Sequence, residues 1–189
     1  MAYHKENLKE RLIEIAWQIC KEGSWRSINM RLVAEKAGVS TTAFYRHFKN
    51  KDDLKAALML KGFQLLSEGI EDPNIEDKFS AYGAHTIKFG LEHPYIYDLM
   101  FENNNINISH YPELEAISDF SFSGIVKGVQ IFIPDASEKE LMIKAINIWA
   151  SIHGLIGILR RARLQTVKTK ELEWIENNLE EYLKMTTFR

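Results

Sequence analysis

A short segment, Ser40–Phe48, combines small polar side chains with basic ones. Thr41 and Thr42 each offer a hydroxyl group for hydrogen bonds to base edges and a methyl group for contact with thymine. The side chains that suit phosphate oxygens are Tyr45, Arg46 and His47. These residue types at this spacing indicate recognition of double-stranded DNA.

Two short helices joined by a tight turn would present these side chains. The pattern predicts a second helix from Met30 and a third helix over 41–48, with Ala34 allowing their close approach. Gly38 can take the positive φ that the turn requires. Phe44 and Phe48 are four residues apart and share a helix face, so we expect them to pack toward helix 1.

The predicted DNA contacts extend beyond the third helix. Asn29 is a candidate cap of helix 2, and Ser40 has two interpretations, as a helix cap and as a phosphate contact. Lys51, at the start of helix 4, is placed to reach the DNA backbone. The full predicted set is Asn29, Met30, Ser40, Thr41, Thr42, Tyr45, Arg46, His47 and Lys51.

This part of the chain resembles a known family. The residues that carry the resemblance are Ala34, Gly38-Val39-Ser40, Phe44-Tyr45-Arg46-His47-Phe48 and Lys51-Asp52-Asp53-Leu54. Together they resemble the N-terminal signature of TetR-family transcriptional regulators. Trp149, His153 and Gly154 also resemble a Trp-x-x-x-His-Gly motif of one subgroup. The resemblance implies a C-terminal half that dimerises through its last two helices and encloses a small-molecule pocket. The alternative for the N-terminal segment is a packing unit without a DNA role.

Charge is divided unevenly along the 189 residues. The net charge is −2, but residues 1–60 hold 11 Lys and Arg against 7 Asp and Glu, a net of +4. Residues 61–189 hold 13 against 19, a net of −6. The basic end suits a polyanionic partner.

Other features narrow the class of protein. Cys20 is the single cysteine, which excludes an internal disulfide and a cysteine-based zinc cluster, and the histidines show no paired ligand spacing. We therefore expect no metal and no cofactor. Without an unbroken apolar run of about 18 residues or a signal peptide, we expect a cytoplasmic protein with no membrane partner.

The predicted fold is all-α with about nine helices. The ranges are 6–21, 30–36, 41–48, 52–70, 75–92, a short helix after Pro94, 113–132, 138–164 and 170–184. Residues 1–50 are predicted to form the helix-turn-helix domain, and 51–189 the helical effector-binding and dimerisation domain. Helix 4, about 51–70, would link them.

The long helix over 138–164 is apolar on nearly every side between Leu141 and Leu159, so we expect it to be buried on every side. One face can serve its own core and another a second copy of the chain, and Gly154 and Gly157 allow close approach. The predicted dimer interface comprises Ile152, Leu155, Ile156, Leu159, Leu172, Ile175, Leu179 and Tyr182. The alternative is that both helices complete the monomer's core.

Aromatic residues are abundant over 79–132 and suit a small apolar or aromatic effector. The predicted pocket comprises Tyr82, His85, Phe89, Phe101, Phe120, Trp149 and His153. The alternative is that these residues are ordinary core.

The leading hypothesis is a dimeric, ligand-responsive repressor that reads a palindromic operator. The alternative is a dimeric all-α interaction module without effector or DNA control. An enzyme is not expected, because the sequence lacks a phosphate-cradling glycine loop, a nucleophile motif and paired carboxylates with an obvious partner.

Overall fold

The computed structural model describes residues 6–68, 77–101, 106–165 and 169–186. These residues form ten α-helices and two short 3₁₀-helices, and no strand occurs among them, which confirms the predicted all-α class. The α-helices are α1 Glu6–Glu22, α2 Met30–Lys36, α3 Thr41–Tyr45, α4 Lys51–Ser67, α5 Lys78–Glu92, α6 Pro94–Phe101, α7 Pro112–Phe132, α8 Glu138–Gln165, α9 Lys170–Asn177 and α10 Leu179–Thr186. The 3₁₀-helices are Trp25–Ser27 and Ile108–His110.

Two predicted helices have different bounds in the structure. The third helix was expected to reach Phe48, but α3 ends at Tyr45 because the next residues close a tighter turn, in which the His47 N–H donates to the Phe44 carbonyl (2.9 Å). The last predicted helix is divided at Asn178, whose side chain donates to the Trp174 carbonyl (2.8 Å). Such a side-chain bond competes with the helical backbone pattern. The predicted end of helix 4 at 70 and the start of helix 5 at 75 lie outside the described residues.

Local side-chain bonds begin the helices of the turn motif. The Asn29 Oδ1 accepts a hydrogen bond from the Arg31 N–H (2.8 Å), and the Ser40 Oγ accepts one from the Ala43 N–H (3.1 Å). Both residues are therefore helix caps, as the sequence predicted. Gly38 between them has φ +66°, the left-handed conformation that the turn requires.

The chain divides into two compact units. Among the described residues, the first unit contains those up to Leu65 together with His93–Ile117, and the second contains the rest. This division differs from the predicted border at residue 50, because α6 packs against α1. The Tyr111 hydroxyl also donates to Asp53 Oδ1 (3.1 Å). The largest fully buried side chains of the first unit are Leu12, Val33, Phe44, Phe48, Leu54, Leu58, Ile96, Leu99 and Leu114.

The second unit is built on α5, which packs against α8 and α10. Gly83 of α5 allows the approach of α10, because a Cβ at this position would lie 2.8 Å from a methyl group of Leu183. Arg163 joins α8 to α9 through two bonds to Glu176, from Nε (2.8 Å) and Nη2 (2.5 Å).

The two sides of α8 have different surroundings. Its buried apolar residues, which belong to the core of the second unit, are Leu141, Ala145, Ile148, Ile152, Leu155, Ile156, Leu159 and Ala162. Ile143, Ile146 and Ile158 are about half exposed. By length and composition, Glu138–Leu164 is also long and apolar enough to cross a membrane. This property does not appear as an unbroken apolar run in the sequence, because charged and polar residues interrupt it. The helix is thus amphipathic in its packing although it is apolar in sequence.

We predict that Gly38→Ala lowers the free energy of unfolding by about 1 kcal/mol, because a side chain disfavours the left-handed conformation. No atom lies within 4 Å of the added Cβ, so the loss would report the backbone alone. Urea unfolding at one fixed protein concentration measures it. Gly23→Ala is the matched control, because its Cβ would lie 3.8 Å from Ser27 Oγ in ordinary contact. Equal stability of the two variants would contradict the prediction.

Candidate nucleic-acid interface

The inner face of α3 is anchored by two phenylalanines. Phe44 and Phe48 are 0% and 1% exposed, and their ring centroids lie 5.4 Å apart. A helix of five residues is too short to be stable alone, so this contact must hold it in place. The anchoring leaves the opposite face of α3 free for a ligand.

The outer face of α3 carries the predicted base contacts. Thr41 and Thr42 are exposed in its first turn, and Arg46 is exposed directly after its last residue. Tyr45 is 47% exposed, and its ring meets that of Phe44 edge-on at 5.7 Å. His47 is half-buried. The structure thus brings these five side chains to one short helix and the turn that follows it.

The capping residues remain able to contact DNA. Ser40 is exposed, and because its Oγ accepts the bond from Ala43, its hydroxyl proton is available to donate. Capping and phosphate contact are therefore compatible at Ser40. Asn29 is exposed and caps α2, whereas Met30 is half-buried.

A hydrogen-bonded loop positions the start of α4. The Asn50 Oδ1 accepts from the Asp53 N–H (2.9 Å), and the Asp53 Oδ2 accepts from the Lys49 N–H (2.8 Å). Tyr111 donates to the other oxygen of Asp53. Burial, followed by the bond to the Asp53 carboxylate, raises the pKa of Tyr111 to about 12, so this donor keeps its proton at neutral pH. Lys51 therefore begins a helix whose first turn is held in place.

Trp25 contacts the beginning of α4, which the sequence does not predict. The Nζ of Lys51 lies 4.9 Å from the centroid of the Trp25 ring, and the Nζ of Lys55 lies 5.9 Å from it. Both distances are within the range of a cation–π interaction. Trp25 belongs to a 3₁₀-helix ahead of α2, so no local sequence pattern connects it with α4.

This geometry agrees with the comparison with protein families. A sequence model described as bacterial regulatory proteins, tetR family, matches residues 12–58. That span contains α2, α3 and the first turns of α4. Residues 12–58 therefore match the N-terminal DNA-binding domain of the TetR family. A domain of this kind is found in bacterial transcription regulators.

Solved structures share the fold over nearly the whole chain. A protein of unknown function from Rhodococcus sp. RHA1 is 20% identical, with a TM-score of 0.69 over 93% of this chain and 94% of that one. A TetR transcriptional regulator from the same source is 17% identical, with a TM-score of 0.59 over 95% and 96%. NalD, the secondary repressor of the MexAB-OprM multidrug efflux pump in Pseudomonas aeruginosa, is 17% identical, with a TM-score of 0.59 over 95% and 93%. Because these sequence identities are low, the structural similarity shows a shared fold alone.

The residues predicted to line an effector pocket are dispersed. Trp149 and His153 contact each other, with ring centroids 4.7 Å apart, and burial lowers the pKa of His153. The His85 Nε2 lies 3.0 Å from the Leu66 carbonyl oxygen, and Phe89 is buried. Phe120 is 69% exposed. Phe101 belongs to the first unit, where its ring contacts those of Phe63 and Tyr97.

Two spaces occur beside α8 in the second unit. One is a void of about 10 Å³, which holds roughly one water molecule, and Tyr82 is among its lining residues. The other is a groove of about 190 Å³ between α8 and α10. Its lining is half polar, and the full set is Lys144, Asn147, Ile148, Ser151, Ile152, Leu155, Tyr182, Leu183 and Thr186. Among the described residues, no group of three or more His, Cys, Asp and Glu side chains could hold a metal ion.

The residues predicted for the dimer interface are largely packed inside the second unit. Those that are buried there, at 7% exposure or less, are Ile152, Leu155, Ile156, Leu159 and Leu179. Leu172, Ile175 and Tyr182 are half-buried. Residues that are buried inside the unit have little surface left to contact a partner. The sequence could not show which side of α8 is buried, because apolar residues occur on both sides. The exposed isoleucines of α8 lie on its other side.

Proposed function

We propose that this protein is a regulator of the TetR family, a cytoplasmic, ligand-responsive repressor that binds a palindromic operator as a homodimer. The observation that carries the proposal is the two-sided segment made of α3 and the turn after it, which buries Phe44 and Phe48 and exposes the polar residues between and around them. Thr41 and Thr42, at the N-terminal end of a recognition helix, suit base edges. Phosphate contacts fall to the side chains of Ser40, Tyr45, Arg46, His47 and Lys51.

The charge of the chain supports the same assignment. The net charge of +4 over residues 1–60 supplies the attraction that DNA binding requires, whereas the remainder is acidic. Several phosphate contacts make the affinity fall steeply between low and moderate salt. A response that is flat in salt would instead favour an interaction module without a DNA role.

We expect Thr42→Ala combined with Arg46→Ala to weaken DNA binding at least about tenfold, because a good base contact contributes roughly 1–3 kcal/mol and a phosphate contact adds to it. The measurement is a gel-shift titration with duplexes from the region upstream of the protein's own gene. Arg161→Ala, which removes an exposed arginine of α8 outside the proposed interface, is the control and should leave binding unchanged. Unaltered affinity of the first variant would refute the recognition-helix assignment.

The homodimer proposal rests on the exposed side of α8. Ile143, Ile146 and Ile158 share this side with Gly154 and Gly157, and among the described residues no atom outside the neighbouring backbone of α8 lies within 4 Å of where a Cβ would be added at either glycine. A partner helix can therefore approach the backbone closely, and burial of the isoleucines would offset the low helix propensity of the glycines. We assign this side of α8, rather than the buried set predicted from sequence, to the subunit contact.

Replacing Ile143 and Ile158 together by Glu should convert the dimer to a monomer of 21.9 kDa, because both new charges would be buried against the partner. Sedimentation equilibrium measures the mass. Ile131→Glu is the control, because Ile131 is 78% exposed on α7 and its replacement should leave the dimer intact. A wild-type mass equal to that of one chain would contradict the proposal.

Effector binding is supported by the groove between α8 and α10. An engineered cavity of about 150 Å³ can hold a benzene molecule, so 190 Å³ is enough for a small organic ligand. Ile148, Ile152 and Leu155 supply an apolar wall, and Lys144 is the cation of the lining. This combination favours a small amphipathic anion, which differs from the small apolar or aromatic effector expected from sequence.

The position of the groove suggests how an effector would act. Lys144 and Asn147 alternate along α8 with Ile143 and Ile146 of the proposed dimer contact. A ligand bound beside this contact would favour one arrangement of the two subunits and thereby change the spacing of their recognition helices. Such coupling needs only about 1–3 kcal/mol of differential affinity.

We predict that octanoate, an amphipathic anion, raises the melting temperature, whereas the neutral octanamide does not, because Lys144 pairs with the carboxylate. Differential scanning fluorimetry over a ligand titration measures the shift. Lys144→Met should abolish the octanoate effect, and Lys139→Met, an exposed lysine of α8 outside the groove, should not. An equal shift with octanamide or in Lys144→Met, or no shift at all, would argue against this site.

A further inference from the structure

Trp25 lies against the beginning of α4. It is half-buried in the 3₁₀-helix Trp25–Ser27, which Ser24 caps through a bond from the Arg26 N–H (3.2 Å). Its ring lies 4.9 Å from the ammonium nitrogen of Lys51, the first residue of α4. The face of the Trp25 ring thus contacts the ammonium group of Lys51, which is predicted to bind a phosphate.

Positive charge at this end of a helix is not explained by helix stability. The N-terminus of a helix carries a partial positive charge, so a lysine there is unfavourable. Lys55, one turn further, is only 6% exposed, and lysines are seldom buried to this degree. The first turn also contains Asp52 and Asp53, but Asp53 already accepts bonds from the Lys49 N–H and from Tyr111.

The ring offsets part of this cost at Lys51. A cation–π contact is favourable even at an exposed site. It also restricts a flexible side chain, whose ordering would otherwise lower the affinity for a phosphate. The contact therefore places an ammonium group beside the α4 N-terminus before DNA arrives.

We propose that Trp25 is a positioning residue for DNA binding, which acts through Lys51 by holding its ammonium group in place for a backbone phosphate. The proposal rests on the proposed DNA-binding function of this surface. Trp25 itself does not touch DNA. The matched lysine is Lys55, whose ammonium lies 5.9 Å from the same ring but is buried, so it does not reach a phosphate.

The test is a double-mutant cycle with a mixed-sequence duplex, which suffices because phosphate contacts do not depend on sequence. Fluorescence anisotropy gives the affinity at several salt concentrations. We expect Lys51→Met to weaken binding about three- to tenfold and to lower the salt slope by about one per subunit. Trp25→Leu should weaken binding about threefold in the wild-type background and leave it unchanged in the Lys51→Met background.

Further variants separate positioning from a purely structural role. Trp25→Phe keeps a ring and should lose less affinity than Trp25→Leu, and it also serves if the leucine variant fails to fold. Lys55→Met makes the same chemical change one turn later and should leave the salt slope unaltered. In the free protein, the ε-methylene proton resonances of Lys51 should be shifted by the Trp25 ring and lose this shift in Trp25→Leu.

Two outcomes would overturn the inference. One is an equal loss on Trp25→Leu with and without Lys51, which would mean that Trp25 acts through the fold. The other is a salt slope that Lys51→Met does not change. Failure of the wild-type protein to bind the duplex would instead count against the proposed function itself, so the two failures are distinguishable.

Discussion

The placement of α3 depends on the burial of two phenylalanine rings. Five residues form too few helical hydrogen bonds to hold a helix, so its direction is set by Phe44 and Phe48, which are almost fully buried. Gly38 determines where α3 leaves the turn after α2. Every outward side chain of α3 takes its position from these contacts, so the proposed DNA-reading surface is held in place by residues that are themselves buried.

The same division between support and contact recurs at the start of α4. Lys51 is exposed enough to meet a ligand, but its surroundings are ordered by the Trp25 ring and by the bonds among Asn50, Asp53 and Tyr111. When a charged group is already held in place before binding, the loss of side-chain entropy on binding is smaller. A short recognition helix with an ordered cation beside it can therefore bind DNA without a large interface.

In the second unit, α8 combines several environments in one helix. Its buried side completes a core with α5, its flank borders the groove with α10, and its remaining side exposes isoleucines beside two glycines. A helix that is apolar all round is suited to such shared use, because each side can be buried against a different neighbour. Effector and partner would then act on adjacent sides of one rigid element.

The sequence by itself determined the all-α class, the caps at Asn29 and Ser40, the turn at Gly38 and the resemblance of the N-terminal part to the TetR family, because these depend on residue types at short spacing. It predicted that Phe44 and Phe48 pack together, since four residues separate them. Only the tertiary structure decided which side of α8 is buried, because apolar residues occur on both. The same is true of the Trp25–Lys51 contact and the α8–α10 groove, which join residues far apart in the chain and leave no periodic pattern in the sequence.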